Sequence, residues 1–93
     1  MAATVLIPQP LRPLTGDQAT VDGVTGSLSD CISDLEARFP GVAERILDEE
    51  WELRRFVNVY INGEDVRFED GLATTINDGD EVSIVPAVAG GSF

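Results

Sequence analysis

Phe56-Val57-Asn58-Val59-Tyr60-Ile61, running straight into Asn62-Gly63, constrains the fold of this chain more than any other stretch. Side chains along a strand alternate between faces, so Val57, Val59 and Ile61 share one side while Phe56, Asn58 and Tyr60 share the other. Asn and Gly both tolerate the positive φ of a tight two-residue hairpin, so the strand turns back at Asn62-Gly63 into a return strand over Glu64 to Arg67. One face of this hairpin is aliphatic and needs a cover.

The cover is readable upstream. Ser27 opens a helix: its hydroxyl caps an early backbone N–H, and Asp30, three places on, completes a capping-box pattern with Asp in place of Glu. Leu28, Cys31, Ile32, Leu35 and Phe39 recur at helical spacing and form one buried stripe. Asp30, Asp34, Glu36 and Arg38 fall on the other faces, and Pro40-Gly41 ends the helix. Val42 to Leu47 fits a short helical turn, and Asp48-Glu49-Glu50 a solvated loop.

The remaining segments supply further strands. Thr4-Val5-Leu6-Ile7 is apolar and β-rich and is stopped by Pro8, Pro10 and Pro13, which cannot donate to a sheet ladder. Thr15-Gly16-Asp17 has turn chemistry, and Gln18 to Val21 pairs back on the first strand. Gly71 to Ile76 has no decisive pattern and is compatible with a helical turn. Asp78-Gly79-Asp80 turns the chain into a last strand, Glu81 to Pro86. The order ββαβ(β)β predicts an α+β roll of residues 1–86. In it a mixed sheet of four to five strands carries one main helix on one face, and the first and last strands pair in parallel at the centre. Residues 87–93 form a flexible C-terminal tail.

Composition narrows the function. The 93 residues suit one small domain with little room for a deep pocket. No apolar run reaches the length of a membrane span, because Asn58 and Asn62 interrupt the best candidate. Met1 to Ile7 lacks the basic region and cleavage site of a signal peptide. A single cysteine forms no internal disulfide, which fits a reducing, cytoplasmic setting. Six cations stand against 17 acids, a net charge of −11. Nucleic-acid binders need the opposite sign to replace phosphate counterions, so that partner class is disfavoured; the acidity serves solubility or steering towards basic surfaces. All six cations are Arg. The chain offers no ε-amino group for an isopeptide bond, yet its own C-terminus can be donated to another protein's lysine.

Nothing in the body reads as a catalyst. Cys31 lies in the apolar stripe, where a cysteine is a small hydrophobe with a raised pKa. With one Cys and no His, zinc or iron–sulfur ligation has no donor set. Asp78-Gly79-Asp80-Glu81 lacks calcium-loop spacing and reads as a turn. Without His or Lys the usual activators of a nucleophile are missing, so the chain is expected not to be an enzyme. A partner-binding face is the alternative for the sheet. If the valine face meets the helix, Phe56, Tyr60, Val85 and Leu6 point away from it and form an apolar cluster. Competing readings are scattered surface apolars, or a cover supplied by the segment from Asp48 to Leu53 with Trp51. Arg54, Arg55 and Arg67 fit the rim of such a face or the balancing of nearby acids.

The chain ends Ala87-Val88-Ala89-Gly90-Gly91-Ser92-Phe93. Small residues pass through a narrow channel that larger side chains would block, and glycine allows close backbone approach. Ala87 to Gly91 reaches about 17 Å when extended. A terminal Gly-Gly is common on frayed ends and is weak evidence by itself. Together with the strand order and the Asn-Gly hairpin, however, it makes the chain resemble the ubiquitin-like β-grasp sulfur carriers of the MoaD/ThiS family, in particular the CysO-like branch of cysteine biosynthesis. The resemblance covers most of the chain and is carried by Leu11-Arg12-Pro13, Ile32 to Ala37, Arg55 to Tyr60, Gly63 to Phe68, Gly71 to Thr74, and Asp78-Gly79-Asp80 on to Gly91.

The resemblance implies a cycle run by partners, with no permanently bound cofactor. A MoeB/ThiF-like activating enzyme uses ATP to adenylate the terminal glycine carboxylate, and a sulfur source converts the acyl adenylate to a thiocarboxylate. That sulfur passes to a synthase, cysteine synthase-like or one building a cofactor or other metabolite. Most members end at the second glycine. Here Ser92-Phe93 keeps the Gly91 carbonyl in an amide, which implies removal by a JAMM-type zinc peptidase cutting between Gly91 and Ser92. Two other readings share parts of this pattern: a protein modifier conjugated through Gly91 to target lysines, and a non-reactive adaptor that binds through Phe56 and Tyr60.

Overall fold

The computed structural model of the chain describes residues 2–86. Nine strands and helices order it: β1 (Ala3–Leu6), β2 (Thr20–Gly23), β3 (Gly26–Ser27), α1 (Leu28–Arg38), α2 (Val42–Ile46), β4 (Val57–Ile61), β5 (Glu64–Asp65), β6 (Thr75–Ile76) and β7 (Glu81–Pro86). Five strands make one sheet in the order β2-β1-β7-β4-β5, and β3 and β6 form a small second one. β1 and β7 run parallel at the centre, with Val5 opposite Val82, while β7 and β4 are antiparallel with Val59 opposite Ile84. This is the α+β roll expected from the element order.

The core lies between the sheet and α1. Ala3, Val5, Val57, Val59, Ile61, Val82 and Ile84 come from the sheet, and Leu28, Cys31, Ile32 and Leu35 from the helix, all buried. Ser27 Oγ accepts from the Asp30 N–H at 3.0 Å, which is the expected cap. Phe39 is half-buried and stands just past the helix end. Glu36, assigned by periodicity to an outer face, reaches forward: its carboxylate accepts from the N–H of Gly41 and, at 2.9 Å, of Ala43. It thereby caps the N-terminus of α2 and fixes the angle between the helices. At the hairpin, Asn62 and Gly63 have φ of 53° and 86°, the left-handed values their turn requires.

Several boundaries differ from the sequence reading. The proline run does more than stop β1: Gln9–Thr15 is a 3₁₀ helix with proline in its first turn, where the missing N–H costs nothing. Thr15 is fully buried there, its hydroxyl facing the carbonyls of Arg12 and Gln18. This helix pushes the return strand along, so β2 spans Thr20–Gly23 and not Gln18 to Val21. The strand after Asn62-Gly63 is only Glu64–Asp65, because the Asp65 carboxylate caps Arg67 N–H and winds Val66–Phe68 into a 3₁₀ turn. Gly71 to Ile76 divides into a 3₁₀ turn, Gly71–Ala73, and strand β6.

Candidate functional site

The outer face of the sheet is the surface that α1 leaves uncovered, and strand register places its residues. Leu6 on β1 faces Ser83 on β7, and Ser83 faces Tyr60 on β4, so the three form one row across the parallel–antiparallel junction. One step along, Val85 faces Asn58. Leu6 and Tyr60 are half-buried, whereas Val85 is 42% exposed. Three of the four side chains expected on this face are therefore brought together. Phe56 is exposed but lies in the turn before β4, since the ladder begins only at Val57. It stands at the end of the row's neighbouring strand and not within the sheet.

Trp51 does not cover this face. Its indole N–H donates to Ser29 Oγ on α1 at 3.0 Å, which holds it on the helix side of the molecule. Leu47 and Leu53 pair as an isolated bridge, and Asp48 Oδ1 accepts from the N–H groups of Glu50 and Glu52, so the acidic loop is a tied turn of its own.

Of the three arginines expected at the rim of this face, the structure ties Arg67 to it, and the exposed Phe68 beside it was not anticipated. Arg67 reaches over from the 3₁₀ turn to donate to Asn58 Oδ1 and, at 2.7 Å, to the Arg54 carbonyl. Phe68, beside it, is 86% exposed, the most exposed large apolar side chain among the described residues. Reading Glu64 to Arg67 as a strand hid the partners of Arg67, because it is the 3₁₀ turn that aims this side chain at β4. Arg54 points elsewhere, its Nε donating to the Glu44 carbonyl at 2.8 Å. Among the described residues the one ion pair is Arg38–Asp34, on α1.

The same register locates the root of the tail. Pro86, the last described residue, faces Val57 at the end of the β7–β4 ladder. Ala87, Val88, Ala89, Gly90, Gly91 and Ser92 lie outside the described residues. Cys31 is fully buried on the helix side, and burial pushes its thiol up to about 11. The helix stripe thus holds an inert sulfur, as its position implied.

A family model for the ThiS family matches residues 5–91. The chain belongs to the ThiS family. It is 55% identical over 93 residues to the sulfur carrier protein CysO of Mycobacterium tuberculosis, covering 98% of this chain and 100% of that one. Small archaeal modifier protein 3 of Haloferax volcanii is 45% identical over 65 residues, 70% of each chain. Among solved structures, a chain of the Amycolatopsis orientalis BexX/CysO complex superposes with a TM-score of 0.91 at 47% identity, covering 97% of this chain and 100% of that one. Crystalline CysO of Mycobacterium tuberculosis gives 0.88 at 53% identity, covering 92% and 99%. The fold is accordingly the ubiquitin-like β-grasp, and the family match stops at Gly91, two residues before the end of the chain.

Proposed function

We propose that this ThiS-family chain is a sulfur carrier, a co-substrate of partner enzymes and not a catalyst, working in the cytoplasm through the carboxyl group of Gly91. The observation that carries this reading is where the family match ends. The match spans residues 5–91 and leaves Ser92-Phe93 outside. A glycine carboxylate at that point is a chemically sufficient acceptor for activation. It attacks the α-phosphorus of ATP and releases pyrophosphate, which turns a poor leaving group into AMP. A sulfur nucleophile then adds to the acyl carbon, AMP departs, and Gly91 ends as –C(=O)–S⁻. The sulfur is later handed to a synthase, for which cysteine formation is the default given the likeness to CysO.

With Ser92-Phe93 in place the Gly91 carbonyl is an amide and offers no carboxylate to ATP. The chain is therefore a precursor, cut between Gly91 and Ser92 by a JAMM-type zinc peptidase before a MoeB/ThiF-like enzyme can activate it. Leu6, Tyr60 and Val85 on the outer sheet face, with Phe56 at its edge, supply the body contact while Ala87 to Gly91 enter the active site of the partner.

Incubating the full chain and a Ser92-Phe93-deleted chain with activating enzyme, ATP and a sulfide source tests this by intact mass. The cut chain is expected to exchange one oxygen for sulfur, and the full chain to stay unchanged. A thiocarboxylate on the uncut chain would refute the precursor reading. The similarity to an archaeal modifier protein favours one second reading, conjugation of Gly91 to lysines of other proteins. Lysine-linked ladders of a tagged chain in its host, without the sulfur mass shift, would select it.

A further inference from the structure

The two edges of the main sheet are unequal. β5 ends after two residues in a 3₁₀ turn, whereas β2 runs for four and has β1 on one side of it. The Ile7 N–H donates to the Ala19 carbonyl at 2.8 Å, which sets the alternation of this antiparallel ladder. Val21 and Gly23, opposite Val5 and Ala3, bond inward to β1, and the N–H and C=O of Thr20 and Asp22 point away from the sheet. Such an edge is a template for another strand unless something covers it. Arg38, in the last turn of α1, covers one group by donating from Nη2 to the Asp22 carbonyl. It is also held independently: its Nε lies 3.0 Å from Asp34 Oδ2, and its guanidinium carbon 5.4 Å from the centre of the Phe39 ring. Between this edge and the helix is an open groove of about 430 Å³, whose lining includes Asp22, Val24, Thr25, Asp34 and Arg38. Val24 gives it an apolar element, 38% exposed.

We propose that this groove is a strand-addition site for an extended segment of a partner protein that carries Lys or Arg at alternate positions, with Arg38 as its gate. The backbone of that segment takes up the outward groups of Thr20 and Asp22. Main-chain hydrogen bonds of this kind supply affinity, and side chains at every second position supply choice. Charge sets the choice. Two carboxylates, Asp22 and Asp34, stand at the groove against one guanidinium, on a chain of net charge −11. A second copy of the chain brings the same acids to the contact and is repelled, as is an acidic strand, whereas a basic strand is drawn in. The incoming N–H replaces Arg38 Nη2 at the Asp22 carbonyl while Arg38 keeps its hold on Asp34 and Phe39, so the gate opens by one hydrogen bond. The location separates this site from the root of the tail. β1 and β7 are parallel with Thr4 opposite Glu81, so Gly23, opposite Ala3, stands by the start of β7 and Pro86 is at its other end. A segment in the groove therefore leaves Tyr60, Val85 and Pro86 open to a second protein. The inference does not depend on activation of Gly91.

The test uses the full ¹⁵N-labelled chain and a synthetic probe, acetyl-Thr-Lys-Val-Lys-Val-Lys-Thr-amide. Amide shifts are expected at Thr20, Asp22, Val24 and Thr25, with slower hydrogen exchange at Thr20 and Asp22. Replacing each lysine of the probe by glutamate should weaken binding at least about tenfold. Two further probes, N-methylated at the lysines or at the valines, block opposite edges of the peptide. One should lose about tenfold in affinity and the other should bind as the parent probe does. Arg38→Ala should bind the parent probe severalfold more tightly, because the competing donor is gone. Weaker binding by a folded Arg38→Ala overturns the gate, and the probe series on the unaltered chain decides the site if that variant fails to fold. Shifts centred on the acidic loop from Asp48 to Glu52, equal binding of both N-methylated probes, or no shift at millimolar probe each overturn the proposal. Broadening at Thr20 and Asp22 that grows with protein concentration, without probe, would identify a second copy as the occupant and overturn it too.

Discussion

The two faces of β4 and β7 are made by alternate residues of the same strands, yet they meet opposite requirements. Val57, Val59, Ile61, Val82 and Ile84 are sealed beneath α1, while Asn58, Tyr60, Ser83 and Val85 on the reverse stay half-covered or open. The sealed face is uniformly aliphatic, so burial there removes surface from water without stranding a polar group. The open face mixes an aromatic, an amide, a hydroxyl and a valine, a composition suited to a contact that must form and release. Stability and the recognition proposed for the open face are thus separated by a single residue step along the strand.

Substitutions can break this division, beginning with the sealed side. Leu35→Ala, beneath the sheet, is expected to cost about 3 kcal/mol in urea unfolding, because it removes buried methyls and leaves a cavity. A Cβ at Gly23 would meet Val5 Cγ2 at 2.7 Å and Cys31 Sγ at 3.0 Å, so Gly23→Ala should cost about 1–3 kcal/mol by overpacking. Cys31 links this side to pH. Its folded pKa is raised from 9.0 to about 11, so the protonated thiol favours the folded state. That contribution is whole below pH 9 and is lost as pH rises through 11, a decline that Cys31→Ala should abolish in denaturation midpoints measured across this window. Tyr60→Ala on the open side should change stability by no more than about 1 kcal/mol while raising the KM of the activating enzyme for the cut chain severalfold. Phe68→Ser, at the most exposed large apolar side chain among the described residues, should leave unfolding within about 0.5 kcal/mol of the parent. An unfolding loss for Phe68→Ser as large as that for Leu35→Ala would erase the distinction between the faces.

How much of this could be read without coordinates follows the range of the forces involved. β4, the helix stripe and the Asn62-Gly63 turn are local patterns, since the period of two, the period near 3.6 and positive φ all express themselves within a few residues. The parallel β1–β7 pair was inferred from element order, and the registers bear it out. What stayed hidden was non-local. Trp51 finding Ser29, Glu36 capping α2 and Arg67 bridging Asn58 to Arg54 depend on how distant segments are set against one another. The 3₁₀ helix over Gln9–Thr15 was missed for another reason: a proline excludes a strand interior but does not specify which alternative replaces it. Of the proposed site, the face was legible at Leu6, Tyr60 and Val85 and its rim at Arg67, while Phe56 was misplaced by one turn, Arg54 turns to Glu44 instead, and Phe68 was unread. The tail residues Ala87 to Ser92 lie outside the described residues and rest on sequence alone.

The central position of β7 also sets how the molecule bears load. An enzyme that draws the tail into a channel pulls along β7, which is hydrogen-bonded on one side to β1 and on the other to β4. Traction of that kind shears both ladders at once, whereas a strand at the edge of the sheet would peel away one bond at a time. On the proposed carrier reading, a pull on the C-terminus would meet the whole sheet at once, and the body would act as a handle for it.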